Sequence, residues 1–233
     1  KGWSYKQIAE RGYEFGSANA AFWPILPWVM RFGSDLTGLP PEVVGYLFTN
    51  ACFLGALIVI YQLVRIDFSQ AIAQRTLWAI ALFPTAFFFT AVYTESPFLF
   101  FAALSLLCAR KGEWLAAGIV GLLAALTRSQ GIMLLAPLGL LLIQQYGFNV
   151  RRWFPNVFFA GIPILGPILF GWRLEEAGHS YRSFIDVQGE WNRGSAMPCT
   201  RRSWMMGKSR FCMSTRAREI SSSRSASNSA ASR

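Results

Sequence analysis

Two charged residues, Glu95 and Arg128, are the first candidates for chemistry because each one interrupts an otherwise apolar region. Glu95 lies in the stretch AVYTESPFLFF (91–101), and Arg128 directly follows the apolar run WLAAGIVGLLAALT (114–127). A charged group at membrane depth is costly and usually marks a functional site. An acid and a cation of this kind could serve an enzyme, or they could line a substrate or ion path across a membrane.

Both residues also have a purely structural explanation. Glu95 precedes Pro97, and this order is typical of a helix N-terminus, where the helix dipole favours negative charge. Arg128 would then be an ordinary anchor at the membrane edge. The two residues alone do not decide between these explanations and a functional site.

The composition of the chain indicates a membrane protein. Of its 233 residues, 53% are hydrophobic and only 15% are charged, which is too apolar for an ordinary soluble domain of this size. The net charge of +10 is uneven, because residues 1–196 carry +3 and residues 197–233 carry +7. We therefore predict an all-α fold, a multi-span transmembrane helical bundle with an outer-face loop region over residues 1–196, and a basic Ser/Arg-rich tail over residues 197–233.

Apolar segments predict where the chain crosses the membrane. A helix needs roughly 20 apolar residues to cross about 30 Å of hydrocarbon, and residues 41–64 meet that length most securely. Breaks are expected near Pro84, Pro137, Pro163 and Pro167. The further apolar segments are 76–93, 96–109, 114–127, 131–145 and 153–172.

The first 40 residues read as a region at the membrane surface. A weak apolar stripe of Trp3 and Ile8, to which Tyr5 and Phe15 could add, predicts a short interfacial helix that ends near Gly12. The stretch AFWPILPWVM (21–30) is apolar but short, and it contains two prolines. It is therefore expected to be a re-entrant or interface-lying segment rather than a crossing helix.

The distribution of Lys and Arg predicts the orientation of the bundle. If the first 40 residues lie outside, the loops that contain Arg65 and Arg75, Arg110 and Lys111, and Arg151 and Arg152 all lie inside, as the positive-inside rule requires. The same orientation collects several polar residues on the non-cytoplasmic face. These are Tyr13, Glu14, Glu95, Arg128, Asp186, Gln188 and Trp191.

Several longer stretches of the sequence resemble those of a known family. The chain resembles the PIG-V-type mannosyltransferases, which add a mannose during glycosylphosphatidylinositol synthesis and have bacterial relatives. The most specific part of the match runs through Tyr93, Glu95 and Ser96, with Arg128 and Gly131 downstream. The matching phrases are YKQIAERGYE (5–14), AAFWPILP (20–27), LFPTAFFFTAVYTESPFLF (82–100), AALTRSQG (124–131) and VQGEWNRG (187–194).

This resemblance implies a GT-C-like glycosyltransferase that is a multi-pass integral membrane protein. It would work on the non-cytoplasmic face of a bacterial plasma membrane or of the endoplasmic reticulum membrane. The implied reaction moves mannose, with inversion, from a polyprenyl-phosphate-mannose or dolichyl-phosphate-mannose donor to a hydroxyl of a glycolipid or glycan acceptor. The implied partners are therefore this lipid-linked sugar donor, the acceptor and membrane lipids. No cofactor and no metal site are assigned.

The resemblance also implies roles for single residues. An inverting transfer needs a carboxylate that takes the acceptor proton, which makes Glu95 the catalytic candidate. Arg128 is the expected partner of the donor phosphate. The remaining candidates would contact the sugar or the acceptor; they are Tyr13, Glu14, Gln130, Gln188 and Trp191. For Trp191, a role as a membrane-interface anchor is the alternative.

The family pattern differs from this chain at one position. It places an aspartate just ahead of the Tyr-x-x-Ile-Ala phrase, and that position falls at or before Lys1, where no aspartate is present. We therefore expect the sequence to be a fragment that is inactive alone. The tail after Met197 is expected to be disordered, and it would be either a basic segment that binds nucleic acid or anionic lipid or a frame-shifted or mis-assembled end. We favour the frame-shifted end, so nucleic acid is not an expected partner.

Two rival functions use the same residues. A transporter would place Glu95 and Arg128 along a polar path through the membrane, although no inverted repeat is visible. A non-catalytic scaffold would use small residues such as the pair Ala117 and Gly121 for helix packing. An outer-face cluster of the polar candidates would favour the transferase, whereas a crossing polar path would favour transport.

Overall fold

The structure is a computed structural model that describes residues 5, 6, 8, 23–84, 86–147 and 150–176. These residues form helices and turns, and no strand occurs among them, which confirms the prediction of an all-α bundle. The α-helices are α1 (Ile25–Thr37), α2 (Pro41–Asp67), α3 (Gln70–Ala81), α4 (Phe87–Thr90), α5 (Glu95–Arg110), α6 (Trp114–Thr127), α7 (Leu135–Tyr146), α8 (Val150–Trp153), α9 (Asn156–Gly161) and α10 (Leu165–Glu176). Two 3-10 segments, Ser129–Leu134 and Ile162–Ile164, precede α7 and α10.

Among the residues that the structure describes, two helical stretches are long and apolar enough to cross a membrane. The first is α2, whose 27 residues extend about 40 Å at 1.5 Å per residue. The second is the continuous run Asn156–Arg173, which contains α9, the second 3-10 segment and most of α10. The first stretch contains the segment 41–64 and has the higher mean hydropathy, 2.1 against 1.2 for the second.

Of the four prolines at which breaks were expected, two lie at irregular points of the chain and two lie inside helices. The segment predicted at 76–93 is not one helix, because α3 ends at Ala81 and turns follow around Pro84. A proline disfavours the helical conformation of the residue before it. Pro163 lies in the 3-10 segment Ile162–Ile164, so the chain is also irregular there. By contrast, Pro137 and Pro167 sit in the first turns of α7 and α10, where a missing N–H leaves no helix bond unmade.

The stretch 21–30 contributes to a helix that begins later and runs further than the sequence suggested. α1 begins at Ile25 and ends at Thr37, and Pro24 and Pro27 lie at its N-cap and in its first turn. The prolines therefore start this helix rather than interrupt it. With 13 residues, α1 reaches about 20 Å, which agrees with the expectation that this segment does not cross the membrane.

Small residues form the buried side of α2, while large apolar residues face outwards. The buried positions recur every three or four residues, so they share one face of the helix; they are Gly45, Thr49, Cys52, Ala56 and Val59. Leu54 and Ile58, in contrast, are 63% and 60% exposed. This arrangement suits a helix that packs through small residues and meets lipid with large ones.

Helix α5 is the centre of the bundle, because it packs against α2 on one side and α6 on the other. The predicted small pair on α6 takes part in this packing. Ala117 is fully buried, and its carbonyl accepts a hydrogen bond from the Ser105 hydroxyl at 2.7 Å. A Cβ at Gly121 would approach Pro163 to 2.7 Å. Gly121 thus allows the second 3-10 segment to lie directly on α6.

The contacts between helices fix their directions. α2 and α5 run the same way, since Gly55 lies beside Phe100 and Asp67 forms an ion pair with Arg110. α6 runs back, and α7 again follows α5, because the amide of Gln145 donates to the carbonyl of Ala109. The bundle therefore has two polar ends. We call them the Glu95 end, where α5 starts and α6 stops, and the Arg110 end, where α2, α5 and α7 stop.

The two polar ends match the predicted division of the loops. The first predicted cytoplasmic loop begins at Arg65 near the end of α2, the second contains Arg110, and the third contains Arg151 in α8, just after α7. Arg65, Arg110 and Arg151 therefore lie at or just beyond the Arg110 end, whereas Arg75 of the first loop lies within α3. Because α5 has 16 residues, about 24 Å separates this end from the Glu95 end.

Candidate functional site

Glu95 is the first residue of α5, and its neighbours hold the start of that helix in place. The Ser96 hydroxyl donates a hydrogen bond to the carbonyl of Phe89, and both Thr94 and Ser96 are buried. Pro97 lies in the first helical turn, where proline is favourable. The structural explanation of Glu95 as an acid at a helix N-terminus is therefore confirmed, but it is not the only contact that Glu95 makes.

Arg128 directly follows α6, in an extended conformation with φ −154° and ψ 148°. Its N–H still donates to the carbonyl of Ala124 at 3.2 Å, while its side chain leaves the helix axis. The chain then turns back as the 3-10 segment Ser129–Leu134. This return requires Gly131, because a Cβ at that position would clash with the backbone of Ala125.

The return of the chain gathers three of the polar candidates into one cluster. Arg128 Nη1 lies 2.6 Å from Glu95 Oε1, and Arg128 Nε donates to Gln130 Oε1 at 2.8 Å. The side chains of Arg128 and Glu95 are 28% and 32% exposed. We call Glu95, Arg128 and Gln130 the Arg128 cluster. It joins the start of α5, the end of α6 and the turn after α6.

Some hydrogen-bonding groups of the Arg128 cluster have no partner among the described residues. Within the described residues, the two N–H groups on Arg128 Nη2 have no hydrogen-bond partner. Glu95 Oε2 is buried and also lacks a partner in this part of the chain. A buried carboxylate oxygen without a donor is unfavourable, so a hydroxyl donor that reaches it would be stabilised. The cluster can therefore bind an anion through Arg128 and accept a hydrogen bond through Glu95.

Tyr5 belongs to the same region, although the sequence suggested only a place for it in a weak apolar stripe. It is buried, and it forms a side-chain hydrogen bond with Thr94, the residue before Glu95. Burial raises the pKa of Tyr5, the hydrogen bond with Thr94 opposes this rise, and the charge of Glu95 adds to it. The signal that could have identified Tyr5 was its place as the first residue of the phrase YKQIAERGYE.

A second contact holds the segment that contains Tyr5. Lys6 forms an ion pair with Glu42 in the first turn of α2. Tyr5 and Lys6 therefore contact the N-cap of α5 and the first turn of α2, both at the Glu95 end.

The other predicted site residues cannot be placed beside the Arg128 cluster. Tyr13, Glu14, Gln188 and Trp191 lie outside the described residues, as does the tail over residues 197–233. Their roles therefore stay predictions. In the described part of the chain, no group of three or more His, Cys, Asp or Glu side chains is arranged to hold a metal ion.

A polar path across the bundle is not present among the described residues. Along α5, no charged residue lies between Glu95 and Arg110, and α6 has no charged residue from Trp114 to Thr127. The buried Ser105 hydroxyl between these helices is bonded to a backbone carbonyl. The polar residues thus collect at the two ends, and nothing in this part of the chain favours the transporter.

Comparison with known proteins agrees with a transferase. The family model described as dolichyl-phosphate-mannose-protein mannosyltransferase matches residues 21–169. That range contains the Arg128 cluster and all the helices from α1 to α9. Neither a curated protein nor a solved structure matches the chain.

Proposed function

Because the chain belongs to the dolichyl-phosphate-mannose-protein mannosyltransferase family, which is GT-C-like, we propose that it transfers mannose from a polyprenyl-phosphate-mannose donor at the Arg128 cluster. Family membership supports a membrane glycosyltransferase of the mannosyltransferase type. The observation that identifies the site is the ion pair between Arg128 Nη1 and Glu95 Oε1, which lie 2.6 Å apart. Both side chains are partly exposed, where α5 starts and α6 stops.

Arg128 binds the phosphate of the donor in this proposal. Its guanidinium is held from two directions by Glu95 and Gln130, and no other residue that the structure describes bonds the N–H groups on Nη2. A guanidinium fits phosphate oxygens with parallel hydrogen bonds. An arginine already fixed by two neighbours loses little conformational freedom when the phosphate arrives.

In this proposal, Glu95 accepts the proton of the acceptor hydroxyl. In the transfer, the bond between the anomeric carbon and the phosphate oxygen breaks, and a bond from the anomeric carbon to the acceptor oxygen forms. The acceptor proton moves to a carboxylate, and polyprenyl phosphate leaves with the electron pair. Attack from the face opposite the phosphate inverts the anomeric centre. Because Glu95 Oε2 has no partner in the described residues, it is the oxygen that we assign to the acceptor.

The finer features of the proposal come from the sequence. The positive-inside pattern supports a multi-pass arrangement with the Glu95 end on the non-cytoplasmic face. The PIG-V-type phrases favour a glycolipid or glycan acceptor, while the name of the matched family points to a hydroxyl of a protein. We also keep Tyr13, Glu14, Gln188 and Trp191 as candidates for contacts with the sugar or the acceptor.

A transfer assay tests this function. The full chain is placed in lipid nanodiscs with labelled polyprenyl-phosphate-mannose and with either a glycan acceptor or a Ser/Thr peptide. The sequence lacks the aspartate of the family pattern, so this proposal gives the role of the base to Glu95 and, contrary to the expectation of an inactive chain, predicts that label moves to one acceptor. We expect Glu95→Gln to lower the rate at least tenfold, because a lost general base typically costs about 10² to 10⁴ in rate. Glu113→Gln, which changes an exposed acid at the Arg110 end, is the matched control.

Two results would contradict the proposal. The first is the absence of label in both acceptors when the wild-type chain binds the donor. The second is an equal rate for Glu95→Gln and Glu113→Gln, which would remove Glu95 from the reaction.

A further inference from the structure

A groove with a volume of about 320 Å³ lies at the Arg110 end, away from the Arg128 cluster. Its lining residues come from three helices, α2, α5 and α7. Leu140 is 61% exposed on one wall. The groove is therefore open to the side of the bundle, where a membrane-embedded helix meets lipid.

The lining residues repeat one pattern in three helices that run the same way. Each helix contributes a leucine and, one turn later towards its C-terminus, a polar residue. The body of the groove is consequently apolar, and its polar groups all lie at one mouth. The pairs are Leu63 and Asp67 in α2, Leu106 and Arg110 in α5, and Leu140 and Gln144 in α7.

The mouth of the groove carries both signs of charge. Arg110 Nη2 forms an ion pair with Asp67 Oδ1, and the side chains are 25% and 50% exposed. Asp67 and Arg110 are the last residues of α2 and α5, and α7 ends two residues after Gln144. Three helix C-termini thus meet at this mouth, and helix C-termini favour a positive group.

An amphiphile with a zwitterionic head matches this arrangement. Its chain would lie along the leucines, its phosphate would pair with Arg110, and its ammonium would meet Asp67 and the helix C-termini. We propose that the groove binds one phosphatidylethanolamine molecule from the leaflet at the Arg110 end. The proposal rests on the groove and on a membrane location, and it is independent of mannose transfer at the opposite end.

The chemistry of the mouth distinguishes phosphatidylethanolamine from other common phospholipids. The ammonium of phosphatidylethanolamine donates hydrogen bonds to a carboxylate, whereas the quaternary ammonium of phosphatidylcholine has no N–H to donate. Phosphatidylglycerol offers a phosphate to Arg110 but places no cation beside Asp67. Loss of one charge-assisted hydrogen bond corresponds to a loss of affinity of about tenfold.

Native mass spectrometry of the full chain in detergent tests the proposal. Purified chain is titrated separately with phosphatidylethanolamine, phosphatidylcholine and phosphatidylglycerol. We expect one phosphatidylethanolamine to bind about tenfold more tightly than either other lipid. Asp67→Asn should remove most of this preference while leaving the binding of phosphatidylglycerol unchanged or stronger.

A second variant separates the groove from the general lipid surface. Leu140→Trp places a large ring at the open wall and should reduce binding of phosphatidylethanolamine about tenfold. Leu54→Trp, on the outer face of α2 with 63% exposure, is the matched control and should bind like the wild type. Equal affinity of the wild-type chain for all three lipids would overturn the proposal, and so would equal affinity of the two tryptophan variants for phosphatidylethanolamine.

Discussion

Arg128 Nη1 lies 2.6 Å from Glu95 Oε1, although one residue follows α6 and the other begins α5. An acid in this apolar chain is therefore stabilised by a cation from the neighbouring helix as well as by a helix N-terminus. The same contact brings both charges to one end of the bundle, together with Gln130. The cluster has the residue types that a phosphate-bearing sugar donor and a hydroxyl acceptor need.

The ion pair should contribute measurably to stability. We expect a double-mutant cycle with Glu95→Gln and Arg128→Met to give a coupling energy of about 0.5–1 kcal/mol, a modest value because both side chains are about one-third exposed. The free energy of unfolding in mixed detergent measures it. A parallel cycle with Glu95→Gln and Arg75→Met should show no coupling, since Arg75 is in α3. Equal coupling in both cycles would mean that the contact between Glu95 and Arg128 is not specific.

The close approach of Gly131 to α6 should be essential for the turn that carries Gln130. In Gly131→Ala, the new Cβ would meet backbone atoms of Ala125, so we expect a destabilisation of about 1–3 kcal/mol and weaker donor binding. Gly139→Ala is the matched control in α7, because its added Cβ meets nothing within 4 Å beyond its chain neighbours and the backbone of its own helix. It should be neutral or stabilising by about 0.5–1 kcal/mol. Similar thermal unfolding of the two variants would contradict the packing at Gly131.

Tyr5 should make the stability of the Glu95 end depend on high pH. Burial raises its pKa above the ordinary value of 10.0, so the folded state favours the neutral phenol. This contribution is fully present below pH 10 and is lost as the pH rises through the raised pKa. Tyr5→Phe should remove that loss and, at pH 8, should lower the free energy of unfolding by about 0.5–1.5 kcal/mol through the missing hydrogen bond to Thr94.

The free energy of unfolding of the wild type and of Tyr5→Phe is measured from pH 8 to 11. This measurement gives both the loss of stability at high pH and the difference between the two proteins at pH 8. Tyr46→Phe is the control, because Tyr46 is 53% exposed on α2. If wild type and Tyr5→Phe lose stability equally above pH 10, Tyr5 is not buried at Thr94.

The orientation of the bundle gives a prediction about labelling. In a chain whose four cysteines are replaced by serine, Ser129→Cys should react with a membrane-impermeant maleimide from the non-cytoplasmic side of intact cells. Lys111→Cys should react only after the membrane is permeabilised, because it lies at the Arg110 end, about 24 Å away along α5. Labelling of both positions from the same side would contradict the proposed orientation.

The sequence predicted those helices whose ends carry clear signals. The apolar run 114–127 corresponds to α6, since Glu113 and Arg128 flank it, and α5 extends the predicted segment 96–109 by one residue at each end. The apolar segment 76–93 is broken near Pro84 as expected, but its apolar residues continue past the helix, which already ends at Ala81. Hydrophobicity alone therefore identifies apolar segments, but it does not define where a helix ends within such a segment.

The sequence identified the residues of the candidate site, but it did not predict which of them contact each other. Charge and phrase patterns selected Glu95, Arg128 and Gln130, and the structure brings these three together. The contact itself depends on how closely α5 and α6 pack and on the turn at Gly131, which no local pattern encodes. The burial of Tyr5 was missed for the same reason, because it is a tertiary contact with Thr94.

The affinity of the full chain for polyprenyl-phosphate-mannose, compared between Arg128→Lys and Arg75→Lys in nanodiscs, tests the central claim most directly. Lysine keeps the charge but loses the two-pronged contact with phosphate and the hydrogen bond to Gln130. We predict a dissociation constant about tenfold higher for Arg128→Lys and a value within about twofold of the wild type for Arg75→Lys. Equal affinity of both variants and the wild type would show that the lipid-linked sugar does not bind at Arg128.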